Sequence, residues 1–182
     1  MSKRALILID IQNDYFEDGK WPLDGMQAAA ANAARVLAAA RAAGELVVHV
    51  RHESRDDDAP FFAPGSAGAH IHASVLPQAG EAVVLKHRIN AFLDTELKTL
   101  LDAADIEQVT LVGAMSHMCI DAAARASADL GYATTVLHDA CATHAQEFAG
   151  QQIAAEQVHA AFMAALAFAY ARVASTEQYL AS

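Results

Sequence analysis

The stretch Leu111-Val112-Gly113-Ala114-Met115-Ser116-His117-Met118-Cys119-Ile120 decides the architecture. An apolar strand breaks at a glycine and gives way within six residues to alanine-rich helical sequence. This strand-to-helix handover places Cys119 at a helix N-terminus. There, unpartnered amides and the positive end of the helix dipole favour the thiolate, the reactive form of cysteine.

Working outward, the same alternation repeats. Apolar runs near Ala5–Ile9, Leu46–Val50, Val83–Leu85, Val109–Val112, Ala133–Leu137 and Arg172–Ala174 are separated by long alanine-rich helical patterns. Near-continuous apolar strands imply burial on both faces, so the pattern predicts βαβ units in a three-layer, doubly wound α/β fold. About six mainly parallel strands would carry helices on both faces. The first helix is expected to open at Asp24, with Gln27 completing a capping-box variant, and to close at Gly44. The others are expected over Phe92 to Ala104, Cys119 to Leu130 and Ala154 to Ala171. Residues 53–77 hold the Asp56-Asp57-Asp58 run, Pro60, Pro64 and Pro77, and read as a loop that Phe61 and Phe62 pack down as a lid.

With 182 residues, the chain is expected to be one domain spanning 1–182. It is 54% hydrophobic and only 19% charged, which predicts apolar surface beyond a single core. No apolar run reaches the ~20 residues of a membrane span, so that surface is assigned to a homo-oligomer, a dimer or tetramer. The last long helix carries Val158, Phe162, Met163, Leu166, Phe168 and Tyr170, more apolar surface than one sheet face needs, and part of it is expected at that contact. A net charge of -10 argues against a nucleic-acid partner. The Met1-Ser2-Lys3-Arg4 start offers no leader-like apolar region, and the two cysteines offer no disulfide framework. Both features predict a cytoplasmic protein with reduced thiols and no membrane partner.

Two charged residues sharpen the site. Asp10 ends the run Ala5-Leu6-Ile7-Leu8-Ile9, and Lys86 ends Ala82-Val83-Val84-Leu85. With Cys119 they stand at the C-terminal ends of three candidate buried strands, where open α/β sheets bind ligands. Singly, a buried cysteine is a small hydrophobe, a strand-end aspartate a cap and a strand-end lysine a solvated charge. Together they match acyl chemistry. Cys119 is the nucleophile, Lys86 lowers the thiol pKa, Asp10 takes the thiol proton and returns it to a leaving amine, and first-turn amides stabilise an oxyanion.

Four stretches resemble the isochorismatase-like cysteine hydrolases, a family that includes nicotinamidases and carbamoyl-group amidohydrolases. They are Leu8-Ile9-Asp10-Ile11-Gln12-Asn13-Asp14-Tyr15-Phe16, Val84-Leu85-Lys86-His87-Arg88-Ile89-Asn90-Ala91-Phe92, Gly113 to Ile120, and Gly131-Tyr132 leading to His138-Asp139-Ala140-Cys141. The resemblance implies Asp10, Lys86 and Cys119 as catalytic residues. It also implies a cis peptide at Ala114-Met115 and an oxyanion hole from the Met115 and Cys119 amides. The implied reaction is cleavage of a C–N bond in a small amide or carbamoyl compound through a thioester. The alternatives are a non-covalent isochorismatase-type hydrolase or lyase, and a non-catalytic oligomeric binding protein.

Nicotinamidases of the family bind a metal just after the second strand. His49-Val50-Arg51-His52-Glu53-Ser54 lacks the Asp-x-His spacing and carries a repelling arginine, so no metal and no other cofactor are expected. Phe16, Trp21, His52, Phe61, Phe92 and His117 are expected to line the substrate pocket, the two histidines as donors. His70, His72 and His159 take ordinary solvated or hydrogen-bonded roles, and Cys141 a structural one.

Overall fold

The computed structural model describes residues 3–181; Met1 and Ser2, part of the N-terminal reading above, lie outside them. Strand β1 (Arg4–Ile9) leads into helix α1 (Met26–Ala42), then β2 (Leu46–His52) and β3 (Ala82–Lys86). Next come α2 (Leu97–Ala103), β4 (Gln108–Ala114), a π-helical turn over Ser116–Ile120 and α3 (Asp121–Asp129). β5 (Ala133–Ala142), a hairpin of β6 (Gln146–Phe148) and β7 (Gln151–Ile153), α4 (Ala155–Ala169), β8 (Arg172–Ala174) and α5 (Thr176–Leu180) complete the chain.

Six strands form one sheet in the order β3-β2-β1-β4-β5-β8, and every adjacent pair is parallel. The expected α/β architecture is therefore present. Its two cores follow from strand alternation. Leu6 and Leu8 face the α1 side with Ala30, Ala33, Val36 and Leu37. Ala5, Ile7 and Ile9 face the opposite side with Leu97 and Leu101 of α2, Ala123 of α3 and Leu166 of α4. Alanines at the buried positions of α1, recurring three and four residues apart, let its backbone approach the sheet closely. Among the described residues, no helix is long and apolar enough to cross a membrane.

The order reverses at β1, which has β2 on one side and β4 on the other. That reversal opens a crevice beyond the strands' C-terminal ends. Gly113 at the end of β4 makes the crevice possible. Its φ is +127°, and a Cβ there would lie 1.9 Å from the Ile9 carbonyl oxygen, so β1 and β4 meet more closely than any side chain permits.

Several boundaries differ from the sequence reading. Helix α1 is capped by Gly25 at φ 73° with no side-chain cap, so Asp24 and Gln27 form no capping box; the Asp24 amide instead bonds the Thr143 carbonyl at 2.9 Å. Helix α2 starts at Leu97 because local side chains hold the preceding turn: Asn90 Oδ1 accepts from the Phe92 amide, and Thr95 Oγ1 donates to the Ala91 carbonyl. Helix α3 starts at Asp121, after the π turn, in which the Met115 carbonyl accepts from the Met118 and Ile120 amides. The hairpin and α5 are not among the expected elements. The hairpin is polar and lacks alternation, whereas α5 announces itself by a Ser175–Gln178 capping box.

Candidate active site

Strand ends and one turn deliver the three charged or thiol side chains to one place. Lys86 ends β3, Asp10 follows β1 at a left-handed φ of 53°, and Cys119 lies in the π turn after β4. Lys86 Nζ stands 2.8 Å from Asp10 Oδ2 and 3.2 Å from Cys119 Sγ. Asp10 and Lys86 have no solvent exposure and Cys119 has 3%. The ammonium also donates to the Arg88 carbonyl at 3.1 Å and meets His52 Nδ1 at 3.0 Å. Asp10 Oδ1 has no hydrogen-bond partner among the described residues; Oδ2 meets Lys86 as an ion pair without hydrogen-bond alignment.

Electrostatics alter one expectation. Lys86 does favour the thiolate, but burial first and the Asp10 charge second outweigh it, and the Cys119 thiol is pushed up to about 12. The reason is charge balance: Asp10 and Lys86 already neutralise each other, so a thiolate would add an uncompensated buried charge. The resting site therefore holds a thiol beside a carboxylate. Burial lowers the Lys86 pKa, yet Asp10 and Cys119 reverse that and leave it raised, so the lysine stays an ammonium.

A chain of rings starts beside Lys86 and ends next to the nucleophile turn. His52 neighbours Phe62 (centroids 6.1 Å), Phe62 meets Phe61 (5.1 Å), and Phe61 stacks on Trp21 (4.9 Å). Trp21 meets His144 (5.7 Å), His144 meets His117 (5.6 Å), and His117 meets Phe162 (5.9 Å). His52 is held neutral, its pKa lowered to about 4 by burial and by Lys86, and burial also lowers His117. His117 Nδ1 is bonded to Thr143 Oγ1.

Four of the six expected pocket residues, Trp21, His52, Phe61 and His117, belong to this chain. Phe16 and Phe92 do not: Phe16 is buried and stacked on His72 at 3.6 Å, and Phe92, partly buried, stacks on Tyr132 and packs against the apolar cluster that also holds Cys119. Of the expected oxyanion-hole residues, Met115 follows a cis Ala114–Met115 peptide and Cys119 sits four residues on, within the turn.

Phe62 was expected in the lid, whereas Gln12, Asp14, His144, Phe162 and Ser116 were missed as site-forming residues. Gln12 and Asp14 are polar yet buried, and the signal in the sequence was their place directly after the apolar run Ala5–Ile9, beside Asp10. Asp14 Oδ2 accepts from the Phe62 amide at 2.7 Å, and Gly68 packs so tightly on this carboxylate that a Cβ would come within 2.1 Å of Oδ1. Ser116 Oγ contacts His159 Nδ1 at 2.8 Å and donates to the Ala142 carbonyl, which gives His159 a structural partner at the nucleophile turn. Cys141 is a buried free thiol. Arg51, whose charge argued against a metal, pairs with Glu53 at 2.6 Å. Among the described residues, no three His, Cys, Asp or Glu side chains are grouped to hold a metal ion.

The isochorismatase domain family matches residues 4–178. The chain belongs to the isochorismatase family. A crystal structure of a family hydrolase from Oleispira antarctica is 59% identical, covering 98% of this chain and 96% of its own, with a TM-score of 0.96. The isochorismatase-family protein YddQ of Bacillus subtilis is 44% identical over 97% of this chain and 98% of YddQ. Two further relatives carry named activities. Streptothricin hydrolase of Streptomyces noursei is 37% identical over 78% of this chain and 50% of its own. Maleamate amidohydrolase of Pseudomonas putida is 34% identical over 75% and 71%. This isochorismatase-family hydrolase thus has amidohydrolases among its relatives.

Proposed function

We propose that this protein cleaves a C–N bond of a small amide or carbamoyl compound by cysteine catalysis, without a metal. The observation that carries the reading is the buried meeting of Lys86 Nζ with Asp10 at 2.8 Å and Cys119 Sγ at 3.2 Å. The amidohydrolase relatives support the bond class.

Cys119 Sγ attacks the carbonyl carbon as its proton passes to Asp10, so the buried thiolate never stands alone. The Met115 and Cys119 amides receive the developing oxyanion. Asp10 returns the proton to the leaving nitrogen as the C–N bond breaks, leaving a thioester and a free amine or ammonia. Asp10 then takes a proton from water as its oxygen attacks the thioester, and the thiol leaves reprotonated. Lys86 stays an ammonium throughout, holding the carboxylate and balancing the charge that moves between oxygen and sulfur.

The ring chain from His52 to Phe162 suits a small, flat substrate. We further propose a cytoplasmic homo-oligomer formed through the exposed face of α4.

The test is ammonia release from a panel of primary amides, carbamoyl compounds and imides, with intact-protein mass spectrometry. The wild type is expected to show an acyl adduct with a slow substrate. Cys119→Ala is expected to keep its melting temperature and lose turnover; retained turnover would reject covalent catalysis.

A further inference from the structure

The Lys86 ammonium has three hydrogens and no lone pair, yet four acceptors surround it: Asp10 Oδ2, His52 Nδ1, the Arg88 carbonyl and Cys119 Sγ. His52 Nδ1 faces a group that can only donate, so it accepts, and the ring proton sits on Nε2. The sheet register makes this meeting unavoidable. His52 ends β2 directly beside Lys86 on β3, with the two residues as register partners.

His52 is itself held at both backbone polar groups by one side chain. Gln12, fully buried, accepts from the His52 amide through Oε1 at 2.7 Å and donates through Nε2 to the His52 carbonyl at 2.8 Å. Its other Nε2 hydrogen goes to the Ala69 carbonyl at 2.8 Å, in the 53–77 segment. Both hydrogens and the oxygen of this carboxamide are thus engaged. A buried, fully committed amide is a rigid spacer.

We propose that His52 is a positioning residue for the nucleophile, a neutral acceptor that competes with Asp10 and Cys119 for the Lys86 hydrogens. Gln12 sets it there by bracketing its backbone and tying it to the 53–77 segment. The inference rests on the reading of Cys119 as nucleophile and adds what apportions the lysine's hydrogens. The charged or titratable groups acting on the His52 ring are Lys86, Asp10 and His87; those acting on the thiol are Asp10 and Lys86. Removing the imidazole acceptor returns a hydrogen of Lys86 to the thiolate and the carboxylate, which favours ionised sulfur.

The experiment measures the rate of Cys119 alkylation by iodoacetamide from neutral to alkaline pH, read by peptide mass spectrometry, and needs no substrate. His52→Leu is expected to move the profile down by about one pH unit, about tenfold in rate below the midpoint. Two polar variants separate position from packing. His52→Asn puts its amide oxygen where Nδ1 stands and keeps the wild-type profile, whereas His52→Gln reaches past it and shifts as His52→Leu does. Gln12→Leu shifts the same way, and its combination with His52→Leu adds nothing further, as expected of residues acting in one chain. A wild-type profile in His52→Gln, or an equal shift in His52→Asn, would overturn the proposal. No Cys119 reaction in the wild type would instead count against the nucleophile reading.

Discussion

Asp10 and Lys86 form an ion pair fully removed from solvent, and removing one partner of such a pair leaves the other charge stranded. Lys86→Met is therefore expected to cost ~3–5 kcal/mol in urea unfolding at neutral pH. Asp10→Asn combined with Lys86→Met should recover much of that loss, because no charge is then left without a partner. A double variant no more stable than Lys86→Met would show that the lysine stabilises through its stem packing instead. The candidate residues themselves were legible in the sequence, since polar groups ending apolar runs are conspicuous. The protonation of the thiol was not, because it depends on the summed charge and burial of three side chains that meet only in space.

Two glycines separate conformational strain from steric contact at the level of the elements. Gly113 lies at φ +127° against the Ile9 carbonyl, whereas Gly131, ending the turn after α3 at φ +95°, has nothing within 4 Å of an added Cβ. Gly131→Ala should cost about 1 kcal/mol from backbone strain alone. Gly113→Ala must in addition push β4 off β1, and should cost ~3 kcal/mol or more with loss of any activity. Comparable urea midpoints for the two would contradict the close approach of β1 and β4. The central strands β1, β2, β4 and β5 were readable because each holds an apolar run long enough to be buried on both faces. Helix starts were not, since capping by Gly25 and the turn held by Asn90 and Thr95 depend on contacts a few residues away.

For the molecule as a whole, burial lowers the pKa of five histidines, His49, His52, His72, His117 and His159. Each binds a proton more readily unfolded than folded, so their contribution to stability is complete above the unfolded value near 6.5 and is lost as pH falls toward the lower folded values. The urea midpoint should thus decline between about pH 6.5 and 5.5, above the range where carboxylates titrate. A flat midpoint in that window would contradict the neutral burial of these rings. The outer face of α4 bears Ala160, Ala161, Ala164, Ala165 and a Phe168 that is 90% exposed. If this face joins copies of the chain, Phe168→Lys should shift sedimentation toward the monomer while leaving the melting of the isolated subunit unchanged; an unaltered sedimentation coefficient would place the contact elsewhere. Hydrophobic period and strand-end chemistry, both local properties of the chain, were enough to determine the α/β architecture and to nominate Asp10, Lys86 and Cys119. Only the tertiary structure decided that His52 faces Lys86, that Gln12 holds it, and that Phe16 stacks on His72 and Phe92 on Tyr132. Register across a parallel sheet and the path of a loop join residues tens of positions apart, and no local pattern encodes those distances.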